Sequence, residues 1–339
     1  MLNKDIGRDD LCKITIVIPN YNGMKFIKGC LDSLENQSFK NFELIIVDNA
    51  TQDGSNEFIV KNYPDVRFIA LEQNYGFSRA VNEGMRACDS DYVVLLNNDT
   101  EVEPEWLSNL GRCISNDANV FSCSSKMIQY HDRTKIDDAG DEYNILGWAY
   151  KRGDGRSKEE YNINSGIFSS CAGAAIYRRS VFDEIGYFDE NFFAYMEDVD
   201  ISYRAKIHGY RNVYCSDAIV YHIGSATSGS KYNSFKIKLA ARNNIYVAYK
   251  NMPWLQLVIN CPFLLVGFAV KYIFFSRKGF SKEYKEGISE AFKNLKNIEK
   301  VKYSNRNLLN YVKIEIELIV NTIKYIYDKA SQAIDRQRG

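Results

Sequence analysis

Lys13-Ile14-Thr15-Ile16-Val17-Ile18-Pro19, followed at once by Asn20-Tyr21-Asn22-Gly23, sets the reading of the chain. A short apolar run rich in β-branched residues predicts a buried strand, and Pro19 stops it. The polar tetrapeptide is a loop, after which apolar residues at 24, 27, 31 and 34 mark a helical stripe through Glu35. The unit then recurs. Phe42 to Asp48 is a second strand, and its polar loop, Asn49 to Ser55, leads into a helix through Tyr63. Val66 to Leu71 is a third strand, Gly76 to Cys88 a helix, and Asp91 to Leu96 a fourth strand. Strand–loop–helix units at this spacing predict an α/β domain, with a mostly parallel sheet flanked by helices.

In such sheets ligands bind beyond the carboxyl ends of the strands. The unusual loops fall there: Pro19 to Gly23, Asp48 to Ser55, and Asn97-Asn98-Asp99-Thr100. Neither a G-x-G-x-x-G fingerprint nor a G-x-x-x-x-G-K-[ST] phosphate loop is present in the sequence. A nucleoside still fits, because Tyr21 can stack and Asp48 can accept from a base N–H or a ribose hydroxyl. Asp48 and Asp53 equally suit helix caps and Asx turns. Asn97-Asn98-Asp99 offers one carboxylate among carboxamides, a hard oxygen site suited to Mg²⁺ or Mn²⁺ shared with substrate phosphates, or simply a turn.

Trp106 to Asn116 reads as a helix and Val120 to Cys123 as a strand. Residues 130–166 are polar, charged and glycine-bearing, with Trp148 and Tyr150 embedded, and read as a long irregular excursion. It is either a flap on the acceptor side or a solvated insertion. Ser170 to Tyr177 is a small-residue run entering a strand, and Gly173 lets a ligand approach the backbone. Then comes Phe188-Asp189-Glu190-Asn191-Phe192-Phe193-Ala194-Tyr195-Met196-Glu197-Asp198-Val199-Asp200, with five carboxylates among aromatic rings. Burying such acids is costly unless they are paired or used. Glu197 and Asp198 open a helix that runs to His208, where an aromatic-walled acid is either a general base or a cap. Asn212 to Tyr214 and Ala218 to Tyr221 are strands. His222, just after them and ahead of Gly224-Ser225, could ligate metal, touch phosphate or be structural.

Ser234 to Lys250 is helical. Pro253 to Val270 carries no charge and is followed by Arg277, Lys278 and further lysines. It suits an interfacial segment on anionic lipid, a membrane span or a buried core helix. Asn305 to Ala333 is an amphipathic helix that packs on the core or pairs with another subunit. Lys+Arg and Asp+Glu both number 43, so no basic field argues for nucleic acid. The eight cysteines show no C-x-x-C pair and no metal-ligand spacing, so reduced core thiols are expected. Met1 to Asp10 has no apolar core, so no signal peptide is expected there.

Taken in order, these segments resemble the inverting glycosyltransferases of family 2, which have a GT-A, Rossmann-like fold. The segments are Val17 to Gly23, Val47 to Ser55, Asn74 to Asn82, Asn97-Asn98-Asp99 in place of a D-x-D motif, and Gly173 to Asp200 with Glu197-Asp198. The resemblance covers about residues 12–245, and Gly147 to Gly155 and Glu197 to Asp200 look most like the bacterial rhamnosyltransferase-like branch. It implies that Asp48 binds the base, that Asp99 binds metal and diphosphate, and that Asp198 is the catalytic base. Pro19, Tyr21, Asn22, Asn49, Gly76, Arg79 and Asn98 fall in the donor segments. Trp148, Gly173 and Glu197 fall on the acceptor side, and His222 joins Asp99 as the second candidate metal ligand. The implied cofactor is Mg²⁺ or Mn²⁺. Only Asp99 is acidic in the D-x-D place.

The expected organisation is a transferase domain over residues 1–250, its nucleotide half about 12–125 and its acceptor half about 126–250, with a helical region over 251–339. The expected activity is transfer of a sugar from dTDP-rhamnose or a UDP-sugar to a saccharide or lipid-linked saccharide in cell-surface polysaccharide synthesis. The expected setting is cytoplasmic, peripheral on the inner face of the cell membrane, with a possible homodimer. A sugar nucleotidyltransferase, or a nucleotide-sugar-binding module without transfer, is the alternative. The first would want a basic, glycine-rich triphosphate loop near the N-terminus, and Pro19 to Gly23 is neither.

Overall fold

The computed structural model describes residues 13–224 and 232–338, with side chains through 332. Ser225 lies outside the described residues. Four strands form the parallel half of the sheet: β1 (Ile14–Asn20), β2 (Phe42–Asp48), β3 (Arg67–Ala70) and β4 (Tyr92–Leu96), ordered β4-β1-β2-β3. They are linked by α1 (Ile27–Glu35), α2 (Ser55–Asn62) and α3 (Phe77–Arg86). Ile14, Ile16 and Ile18 pack into one cluster and Val17, Ile45 and Val47 into another. Both sheet faces are therefore dry, as the unbroken apolar runs require.

The other half is mixed. After β5 (Thr100–Val102) and α4 (Trp106–Ser115), β6 (Val120–Gln129) is ten residues long, well past the predicted end at Cys123. Its later residues, Ser124 to Lys126, are polar yet buried, so hydropathy hid them. Residues 130–166 are not structureless. They hold β7 (Ile136–Asp138), β8 (Asp141–Tyr143), β9 (Ala149–Lys151), a 3₁₀ turn at Lys158–Glu160 and β10 (Ser165–Ile167). Each strand has three residues, too few to show a period of two.

β11 (Ala174–Arg178) runs antiparallel between β4 and β6. After α5 (Arg179–Ile185) and α6 (Glu197–Ile207), the two predicted strands at 212–221 are one, β12 (Arg211–His222). An irregularity in register at Cys215–Ile219 breaks its pattern. The order across the sheet is β10-β12-β6-β11-β4-β1-β2-β3. Four helices close the chain: α7 (Ser234–Asn251), α8 (Trp254–Arg277), α9 (Ser281–Asn294) and α10 (Leu308–Arg338). They share a core with the acceptor half, where Tyr143, Phe168, Val199 and Tyr203 meet Tyr246, Ala291 and Leu318. Among the described residues, α8 alone is long and apolar enough to cross a membrane.

Candidate active site

The strand ends of the parallel half are laced together by neutral side chains. Asn20, the last residue of β1, donates from Nδ2 to Ser55 Oγ at 2.9 Å and, more weakly, to Thr51 and Asp48. Its Oδ1 accepts from Asn98 Nδ2 at 2.8 Å. Any side chain at Gly23 would collide with this Asn20–Asn98 pair. Asn22 bridges to the second loop, taking Gln52 N at 3.1 Å and giving its own N–H to Thr51 Oγ1 at 3.0 Å. Asn49 ties the second loop to the third, with Nδ2 on Asn74 Oδ1 at 3.0 Å and Oδ1 on Tyr75 N at 2.9 Å. Asn49 and Asn98 thus hold loops together with the same amide groups a donor would otherwise meet. Asp53 spends both oxygens on Met24 N and Ser55 N, the Asx-turn reading. Asp48 is buried, with long contacts only to Asn20 and to Thr51 N, so acceptor capacity remains on its carboxylate. Pro19 and Tyr21 are partly exposed above it.

Three bridges bring the acidic stretch against this cradle. Gly76, at φ 86°, sits so close to the Phe193 carbonyl that any Cβ would overlap it, and Ser78 N donates to the same oxygen at 3.2 Å. Arg79 pairs with Glu83 at 2.7 Å and Glu190 at 2.9 Å, so its guanidinium joins the two halves. Asn97 N donates to Gly173 O at 2.8 Å, and a Cβ on Gly173 would press on the Asn97 amide. The neighbouring Ala172 N–H reaches Asp198. Asp198 therefore stands one short loop from Asp99.

The five carboxylates sort by partner. Asp189 pairs with Lys250 at 2.6 Å, and Glu190 with Arg79 and Arg86. Asp200 is fully buried and receives Arg204 at 2.8 Å, Asn251 at 2.8 Å and Lys250 at 3.3 Å. Burial raises its pKa, but these cations and hydrogen bonds outweigh that and hold it below the usual range. Among the described residues, Glu197 and Asp198 have no basic partner at hydrogen-bonding range. Glu197 Oε2 is buried with no hydrogen-bond partner. Burial, then the charge of Asp198, lifts its pKa well above the usual range. Burial lifts Asp198 too, but the N–H groups of Val199 and Ala172 and the charge of Lys151 restrain it at about 6. At about 6, the Asp198 carboxylate is ionised at neutral pH. Phe193, Tyr195 and Met196 precede it with φ of 64°, 70° and 71°. Three non-glycine residues in the left-handed region mark strain stored at the helix start. Asn243 helps hold this turn by donating to Phe192, Ala194 and Tyr195 carbonyls.

The excursion supplies residues that the sequence reading missed. Asp137 Oδ2 lies 2.8 Å from His222 Nδ1, and His222 Nε2 lies 3.5 Å from Asp99 Oδ1. Burial lowers the His222 pKa, but Asp137 and Asp99 more than offset this and raise it to about 9. Lys151 completes the row at 2.8 Å from Asp137. Asp138 and Asp141 lie nearby with Cys171, their ligating atoms within 4.8 Å of one another. Burial raises Asp138 to about 7 and Asp141 well above the usual carboxylate range. Burial and nearby acids also raise the Cys171 thiol, so this trio favours its protonated forms and suits a hard cation poorly. By the same measure Asp99 offers a buried carboxylate oxygen that suits Mg²⁺ or Mn²⁺, whereas His222, raised to about 9, ligates only once its ring gives up a proton. The two groups face each other, with the far ring nitrogen fixed by a carboxylate. Asp137 lacks a sequence signal; only folding brings it to His222. Trp148 is placed elsewhere. Its Nε1 donates to Gly267 O in α8 at 3.2 Å and its ring packs on Tyr325 in α10, so it brackets the terminal helices.

Comparison with known proteins gives the family and the fold. Residues 15–186 match the family model described as Glycosyl transferase family 2. Glycosyltransferase GlyA of Streptococcus pneumoniae is 34% identical over 101 residues, which are 29% of this chain and 14% of the relative. Poly-beta-1,6-N-acetyl-D-glucosamine synthase of Staphylococcus aureus is 27% identical over 221 residues, covering 63% of this chain and 51% of the relative. The chain thus spans about half or less of these curated relatives. Among solved structures, the mannosyltransferase PcManGT from Pyrobaculum calidifontis, in complex with GDP-Man and Mn²⁺, has a TM-score of 0.53 at 15% identity, over 96% of this chain and 90% of that one. S. aureus TarS 1-349 in complex with UDP-GlcNAc has a TM-score of 0.51 at 19% identity, over 89% and 79%. These likenesses show the fold, and the family match spans the same strand-end loops that converge above. The chain belongs to glycosyl transferase family 2.

Proposed function

We propose that the protein is an inverting glycosyltransferase that moves a sugar from a nucleotide-diphosphate donor to an acceptor hydroxyl. The observation that carries this is Asp198: it lacks a basic partner at hydrogen-bonding range among the described residues, is tuned to about 6, and is tethered by Ala172 next to the Asn97–Asp99 loop. Asp198 removes the acceptor proton, and the freed oxygen attacks the anomeric carbon. The bond from that carbon to the diphosphate breaks as the new bond forms, and the configuration inverts. The Asp48 cradle holds the nucleoside, and Asp99 with His222 would hold Mg²⁺ or Mn²⁺, which would neutralise charge on the diphosphate.

The donor is dTDP-rhamnose or a UDP-sugar. The TarS complex with UDP-GlcNAc favours the UDP arm, and the likeness of Gly147 to Gly155 to rhamnosyltransferases favours the other. The acceptor is a saccharide or lipid-linked saccharide of a cell-surface polysaccharide, made on the cytoplasmic side of the membrane. Melting curves with dTDP, UDP and GDP, each with and without Mn²⁺, choose the nucleotide, and a GDP preference contradicts the pyrimidine reading. Asp198→Asn should keep nucleotide binding and lose ~10²–10⁴ in turnover. Wild-type turnover in that variant overturns the assignment. Donor binding without hydrolysis or transfer by the wild type would leave a binding module.

A further inference from the structure

Helix α8 is turned inside out, and α10 is apolar on its outer side as well as its inner one. From α8 the buried residues are Gln256, Asn260, Leu264 and Gly267, and the two amides donate to Glu315 Oε2 of α10 at 2.7 and 2.9 Å. Its outward residues are apolar: Leu255 and Val258 are 73% and 69% exposed. In α10 the buried residues include Tyr311, Ile314, Leu318 and Asn321, while Leu309 and Ile323 are 73% and 64% exposed. Apolar surface on this scale marks an interaction face.

Charge is sorted across the same helices. The α10 acids turn inward, Glu315 to the amides, Glu317 to Lys206 and Asp328 to Arg156, whereas Lys313, Lys324 and Lys329 are exposed. Around α8 and α9, Arg277, Lys278, Lys282, Lys285 and Lys293 are exposed, whereas Glu283 and Glu290 bond to α7 and only Glu286 of the α9 acids is exposed, beside Lys282. A second copy meeting this face would bring cationic rim against cationic rim. An anionic lipid surface matches both the apolar faces and the rim. A transmembrane pose fits poorly, because α8 is clamped along its inward side by Glu315, by Trp148 on Gly267 O, and by Leu146 packed against Gly267.

We propose that α8 and α10 seat the protein flat on an anionic bilayer. The seat is bolted to the acceptor wall. Ile145 N donates to Leu318 O at 3.3 Å, Asn321 Nδ2 to Tyr143 O at 3.1 Å, and Trp148 reaches α8 from the same β8–β9 hairpin. That hairpin carries Asp141 and Lys151 beside Asp198. Docking therefore presents the acceptor side to lipid-linked substrate. This last step rests on the transferase reading, whereas the seat itself does not.

The test is flotation of the full chain with vesicles of phosphatidylcholine plus phosphatidylglycerol, against phosphatidylcholine alone, at low and high salt. Binding should need the anionic lipid, weaken about tenfold or more in high salt, and weaken likewise in Leu255→Glu/Val258→Glu and in Lys278→Glu/Lys282→Glu/Lys313→Glu. Donor hydrolysis in solution should stay at the wild-type rate in both variants, which shows that they fold and separates this proposal from the enzymatic one. No binding to anionic vesicles overturns the seat. So does a lipid-free dimer that the same substitutions dissociate, or protein that resists both salt and alkaline extraction.

Discussion

The donor cradle and the acceptor wall face one another but are built differently. The cradle is held by neutral amides and hydroxyls, with Asn20, Asn49 and Asn98 lacing the loops. The wall concentrates acids with raised pKa values, Asp138, Asp141 and Glu197 buried and Asp198 partly exposed, behind a turn with three left-handed residues. A site that positions a ligand can be assembled from satisfied hydrogen bonds. A site that must take a proton has to keep an under-partnered acid, and the surrounding fold must offset its cost.

Substitutions within the acidic stretch break or sharpen that contrast most strongly. Asp200→Asn leaves Arg204 without its buried carboxylate partner and Lys250 with Asp189 alone, and should cost ~3–5 kcal/mol in denaturant unfolding. Because the Asp200 pKa is depressed, its contribution is present above the ordinary carboxylate range and lost on acidification, so wild type and variant should converge at low pH. Asp198→Asn, only two residues away in sequence, should cost little stability. Next in size, Asp137→Asn should weaken Mn²⁺ binding ~10–100-fold in titrations with nucleotide, since the His222 ring loses its orienting carboxylate. An unchanged Mn²⁺ affinity would separate His222 from the metal.

Within the cradle, Asn49→Ala should cost about 1 kcal/mol and weaken nucleotide binding by a comparable amount without altering the pH profile. The smallest effect belongs to Asp138→Asn. Asp138 is raised to about 7, so the folded state binds its proton more tightly than the unfolded chain does. Stability drains as pH rises through that range, and the amide removes the drain. The variant should melt a few degrees above wild type near pH ~8 and no higher near pH ~4. Equal melting shifts at both would contradict the buried-acid account.

The cradle was legible in sequence for the same reason that it is simple. Parallel strands buried on both faces read as apolar runs such as Ile14 to Ile18, and their loops must fall at the carboxyl ends. Glu197 and Asp198 also stood out locally, as acids among aromatic rings at a helix start. What separates them, the solitary Glu197 Oε2 against the Ala172 and Val199 N–H groups at Asp198, depends on contacts that no spacing records. Asp137 was hidden because three-residue strands leave no periodic trace and its partner His222 is distant in the chain. Trp148 drew notice as an aromatic in a polar stretch, but its contact is a carbonyl in a helix far along the sequence.

The most direct measurement is the pH dependence of kcat/KM for wild type, Glu197→Gln and Asp198→Asn. The account predicts an acid limb near pH 6 in wild type, because protonated Asp198 cannot accept the acceptor proton. It predicts the same limb in Glu197→Gln, and a loss of ~10²–10⁴ across the whole profile in Asp198→Asn. A limb that vanishes in Glu197→Gln and survives in Asp198→Asn at wild-type rates would contradict it.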